Sequence, residues 1–97
     1  MQVLTPADLK SDQKVIIYGA GHCPYCVKAK GLLTTLKVDF DWRNCDDSEK
    51  FEHERAALAV NLKYDTIPMI FVNKKFIGGC SDLHELNDKG QLLPMLK

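Results

Sequence analysis

Cys23 and Cys26, separated by two residues in Gly21-His22-Cys23-Pro24-Tyr25-Cys26, are the residues of this chain best suited to chemistry. Thiols at that spacing come within bonding reach when a helix begins between them, because the first turn brings the side chains together. Pro24 supplies the start: at the first helical position its missing N–H loses nothing and its fixed φ is already helical. Cys23 then falls at the N-cap and Cys26 in the first turn. The free N–H groups of that turn and the positive end of the helix dipole point at the Cys23 sulfur. They favour its thiolate, the form that attacks disulfides. Cys26, deeper in the helix, is expected to stay protonated. This arrangement suits thiol–disulfide exchange; the static alternatives are a structural disulfide or half of a zinc site.

The elements that must hold these thiols follow from the patterning around them. Val15-Ile16-Ile17-Tyr18 is a continuous β-branched and aromatic run, expected as a central strand buried on both faces. Gly19-Ala20-Gly21 ends it. A dinucleotide-binding glycine motif is excluded because Pro24 stands where its third glycine belongs. From Pro24 to about Lys37, Cys26, Ala29, Leu33 and Leu36 recur at helical spacing, with Lys28, Lys30 and Lys37 elsewhere on the wheel. Val38, Phe40 and Trp42 alternate with Asp39, Asp41 and Arg43, which predicts an edge strand wet on one side. Ser48 caps a helix with Phe51, Leu58 and Leu62 inward. Strand, helix, strand makes a parallel βαβ unit.

The second half is antiparallel. Met69–Val72 and Phe76-Ile77 are joined by Asn73-Lys74-Lys75, too short a link for anything but a hairpin. Gly78-Gly79 follows, and Ser81 is expected to cap a helix reaching Lys89 and stopped by Gly90. Gln91 to Lys97 forms a last amphipathic turn that Pro94 weakens. At the other end, Thr5-Pro6-Ala7-Asp8 predicts a short helix to about Ser11, within an N-terminal extension over residues 1–12. The expected fold is α/β: a four-stranded mixed sheet flanked by helices, in a single domain spanning residues 1–97.

Composition bounds the rest. The chain has 97 residues, 45% of them hydrophobic, which suits one modest core. Thirteen Lys plus Arg balance thirteen Asp plus Glu, so no net positive field exists to hold nucleic acid or an anionic membrane. No apolar run is long enough to cross a bilayer. Met1 to Pro6 lack the basic flank and apolar stretch of a secretory signal, so a cytoplasmic protein is expected. Four cysteines in such a chain point to redox chemistry or metal.

The element order together with Cys23-Pro24-Tyr25-Cys26 resembles the thioredoxin superfamily, and within it the dithiol glutaredoxins. Three further pieces match: Thr66-Ile67-Pro68 before the third strand, Gly78-Gly79 after the fourth, and Ser81-Asp82-Leu83 opening the next helix. The resemblance covers roughly residues 13 to 97. It implies a thioredoxin-like fold and a glutathione-dependent thiol–disulfide oxidoreductase acting, as a monomer, on protein disulfides and glutathionylated proteins. Cys23 would attack and Cys26 would resolve protein mixed disulfides, the two forming a redox-active disulfide. It also implies a cis Ile67-Pro68 bond that presents the Ile67 backbone to substrate and keeps metal from the thiols, so none is expected.

Glutathione would bind against Tyr25, Thr66, Ile67 and Pro68, with its γ-glutamyl end on Ser81 and Asp82. Many glutaredoxins carry a basic residue where this chain has Ala20, and another where it has Asp65. Arg55 is the residue expected to compensate at the glycyl carboxylate. These departures imply an altered thiol preference, toward a glutathione conjugate of different terminal charge. Cys45, among acidic neighbours, is expected to be inert, and Cys80 to lie near the groove rim. An alternative from the same resemblance is an iron–sulfur cluster shared between two chains through Cys23 and glutathione. Pro24 and Cys26 argue against it, and the scattered Cys45 and Cys80 argue against a four-thiolate zinc site.

Overall fold

The Val15–Tyr18 run is the centre of the sheet. Strand β1 (Val15–Gly19) is buried at every position and pairs on both sides. The structure, a computed structural model, describes residues 4–96; residues 1–3 and 97, to which the domain, extension and N-terminal signal readings also extend, lie outside the described residues. Strand order is β2-β1-β3-β4. β2 (Asp41–Asn44) runs parallel to β1, with Trp42 opposite Ile17. β3 (Met69–Val72) runs antiparallel, with Ile70 opposite Ile17, and β4 (Lys75–Gly78) closes the hairpin. Asn73 and Lys74 both take positive φ, the geometry of a two-residue turn whose twist matches the strands.

Helices cover both faces. On one, α1 (Pro24–Thr35), α3 (Cys80–Asp88) and α4 (Leu92–Met95) bury Ala29, Leu33, Leu83 and Leu92 against Val15, Ile17, Ile70 and Val72. On the other, α2 (Glu49–Leu62) brings Leu58, and the N-terminal segment brings Leu9, onto Ile16, Tyr18, Met69 and Phe71. The alternation of strand side chains between faces thus divides the core in two.

Several boundaries differ from expectation for local reasons. The N-terminal helix is one 3₁₀ turn, Pro6–Asp8, closed by the Asp8 carboxylate accepting from the Thr5 N–H and hydroxyl at 2.9 Å each. α1 stops at Thr35 because Lys37 turns left-handed, letting Val38 N–H donate to Leu33 O at 2.9 Å and Lys37 N–H to Thr34 O at 3.0 Å. That closure uses Val38, so β2 begins only at Asp41. Arg43, assigned to a wet face, is buried at 8% exposure. Ser81 is not the cap of α3: Gly79 is, and Asp82 reaches back to accept its N–H at 2.9 Å. Gly90, with φ of 69°, ends that helix as expected.

Candidate active site

Cys23 caps α1 with extended backbone, and Pro24 is the first helical residue. The Cys26 N–H donates to Cys23 Sγ at 3.4 Å, so a backbone dipole stabilises negative charge there. The turn that delivers Cys23 is closed by its N–H donating to Ala20 O at 3.2 Å, and the helix continues with Val27 N–H donating to Cys23 O at 3.1 Å. Across the cleft, Ile67 precedes Pro68 in a cis peptide bond, and its carbonyl lies 3.9 Å from Cys23 Sγ. A backbone carbonyl beside a reactive sulfur can pair with the backbone of a bound peptide.

Cys26 is wholly buried. Burial pushes its thiol up to about 12, reinforced by its contact with Cys23 and the Cys23 charge, and opposed by the Ala20 backbone and Lys30. The two thiols are free, one half-exposed and one sealed. Gly19 makes this possible: a Cβ there would lie 2.6 Å from Cys26 Sγ and 3.0 Å from the Trp42 ring. The residue pattern placed Gly19 at the end of a strand and carried no sign of this packing role.

Gly78 and Gly79 carry the chain from β4 to α3. Gly78 has φ of 113°, and a Cβ on it would collide with the Asp82 carboxylate. One on Gly79 would meet the Tyr64 hydroxyl at 2.7 Å. Ser81 and Asp82 are exposed at the start of α3, which packs against α1.

A glutaredoxin family model matches residues 15–77, and a glutaredoxin from Pseudomonas aeruginosa is 40% identical over 82 residues, 84% of this chain and 94% of that protein. The chain belongs to the glutaredoxin family. Its fold matches the dithiolic glutaredoxin 2-C-Grx1 of Trypanosoma brucei brucei with TM-score 0.81 and 38% identity, covering 88% of each chain. It matches a buckwheat glutaredoxin–glutathione complex with the same score at 28% identity, covering 87% of this chain and 76% of that one. The family makes it a thiol–disulfide oxidoreductase, and the four-stranded mixed sheet is the expected one.

Within this family frame, the structure brings Cys23, Cys26 and Ile67 together directly. Tyr25 is exposed beside them, with Lys28 Nζ 5.5 Å from its ring centre. Thr66 is exposed and Pro68 buried. Arg55 is held by Glu52, through Nε at 2.7 Å and Nη2 at 2.6 Å. His22 is exposed and paired with Asp46 at 2.8 Å. Burial, then the Glu52 charge, pushes the Cys45 thiol up to about 11, in keeping with an inert group. Cys80 is buried, its thiol raised by burial, with its Sγ 3.4 Å from His84 Nδ1. Among the described residues no group of three or more metal-ligating side chains converges, and no helix is long and apolar enough to cross a membrane. Trp42, Lys30 and Tyr64 were not singled out by sequence. Trp42 was visible only as an alternating apolar residue, and Lys30 as a helix charge.

Proposed function

We propose that this protein reduces protein disulfides and glutathione mixed disulfides by a dithiol cycle fuelled by glutathione. The Cys23 thiolate attacks a substrate disulfide, forming a Cys23 mixed disulfide and releasing one substrate thiolate. With a protein substrate, Cys26 attacks the Cys23 sulfur. The Cys23–Cys26 disulfide forms, the second substrate sulfur leaves as a thiol, and the Cys26 proton ends on it. Two glutathione molecules then restore the dithiol and leave as glutathione disulfide. With a glutathione mixed disulfide, attack by Cys23 and one glutathione suffices.

The observation that carries this reading is the half-exposed Cys23 sulfur, which accepts the Cys26 N–H and faces the Ile67 carbonyl, with a sealed second thiol behind it. Ile67 would pair with the glutathione backbone, while Thr66, Pro68 and Tyr25 border the groove. Ser81 and Asp82, at the helix N-terminus, would take the γ-glutamyl end. Arg55 would meet the glycyl carboxylate only by sharing with Glu52. This supports a cosubstrate whose terminal charge differs from that of glutathione. Equal high efficiency with glutathione itself would overturn that refinement.

The central test is reduction of a glutathione mixed disulfide by three forms. Wild type and Cys26→Ser are expected to be active and Cys23→Ser inactive. Activity retained in Cys23→Ser would overturn the assignment.

A further inference from the structure

A sealed thiol raised to about 12 is a poor nucleophile at neutral pH, yet the cycle above needs it to attack. Lys30 lies one helical turn beyond Cys26 on α1, so the two share a face. Its ammonium sits 3.8 Å from the centre of the Trp42 ring, within cation–π range. The Trp42 ring in turn lies 3.0 Å from where a Gly19 Cβ would stand, and Cys26 Sγ lies 2.6 Å from the same point. Ring and sulfur therefore meet at one missing Cβ, and the ammonium stacks on that same ring. Lys28, on the same helix, is directed elsewhere, over Tyr25.

We propose that Lys30 is a positioning residue for the second half of the exchange: pinned on the Trp42 ring, its ammonium supplies the positive charge against which the buried Cys26 sulfur ionises as it attacks the Cys23 mixed disulfide. The proposal rests on the dithiol cycle above and concerns its closing step alone. The groups whose charge acts on Cys26 are Lys30, from its own helix, which lowers the cost of the anion, and the Cys23 thiol at the cap, which raises it. Once Cys23 is in a mixed disulfide it carries no charge, so only the favourable partner remains during the closing attack. Loss of the cation reduces the thiolate fraction tenfold per unit of pKa. The more basic sulfur is about threefold more nucleophilic, so the net loss is about threefold per unit.

Single-turnover reaction of the fully reduced protein with one equivalent of dithiobis(nitrobenzoate) reads both steps. Attack by Cys23 releases the first nitrothiobenzoate, and closure by Cys26 releases the second. In Lys30→Met the second phase is expected to slow about three- to tenfold near neutral pH, with its pH profile displaced upward. Lys30→Arg, which keeps charge and stacking, is expected to stay within about twofold of wild type. Trp42→Leu, which unpins the ammonium, should slow the second phase in the same sense. A second phase in Lys30→Met at the wild-type rate would overturn the proposal. So would slowing that Arg does not rescue and that leaves the pH profile in place. Absence of any second release from wild type would instead overturn the dithiol cycle.

Discussion

At the scale of single residues, the site depends on one absent methyl group. A Cβ on Gly19 would stand 2.6 Å from Cys26 Sγ and 3.0 Å from Trp42, so the resolving thiol would have to shift. Gly19→Ala is expected to cost about 1–3 kcal/mol by overpacking, measured as a fall in the urea midpoint, and to perturb closure by Cys26. Cys26 also links stability to pH. Its thiol is raised in the folded protein, by burial first, from 9.0 to about 12. The folded state therefore binds more protons than the unfolded one between those values. The stabilisation is complete below pH 9.0 and is lost as pH climbs toward 12. Cys45, raised by burial to about 11, acts in the same sense. Reduced protein is expected to lose thermal stability progressively above pH 9.0, and Cys26→Ala to flatten that slope. A slope unchanged in Cys26→Ala would remove Cys26 as its source.

At the scale of elements, the helix starts do the positioning. α3 begins at Gly79, whose N–H is satisfied by the Asp82 carboxylate at 2.9 Å. Asp82→Ala is therefore expected to destabilise by about 0.5–2 kcal/mol, the usual cost of a lost cap interaction, seen in chemical denaturation without substrate. The same variant should weaken glutathione binding, so stability and affinity have to be read separately. These starts were unequally legible. Pro24 announced α1 and Ser48 announced α2, because proline and serine act there through chemistry local to the residue. Ser81 misled, because Gly79 supplies the extended cap backbone while the side-chain partner comes from three residues on. The C-terminal ends of α1 and α2 were less legible still: Lys37 and Lys63 take the left-handed turn that sequence patterns assign to glycine. Cys23 and Cys26 were legible from their spacing, and Ile67 only through the family resemblance. The Trp42–Lys30 contact was not, since it joins α1 to β2 through packing.

At the scale of the whole molecule, Arg43 binds four segments on the face opposite α1. Its Nη1 donates to the Tyr18 hydroxyl at 2.7 Å and to Glu54 at 3.1 Å. Nη2 donates to Lys10 O at 2.6 Å and to Asp41 at 3.1 Å. The Tyr18 hydroxyl itself donates to Glu54 at 2.8 Å, so β1, β2, α2 and the N-terminal segment meet at one guanidinium. Alternation along β2 could not reveal this, because it distinguishes faces and not what covers them. Removing one partner from a buried network leaves the others desolvated and unpaired, which costs more than the pair contributes. Arg43→Met is expected to lose about 3 kcal/mol in denaturant unfolding, and Arg43→Lys to recover little, since an ammonium cannot reproduce the planar set of donors. Cys23, Cys26 and Ile67 are absent from this network, so first-phase reaction with dithiobis(nitrobenzoate) should keep its wild-type rate while the protein stays folded. A parallel fall in that rate would mean that the two faces of the sheet are coupled, and that the network shapes the cleft as well as the fold.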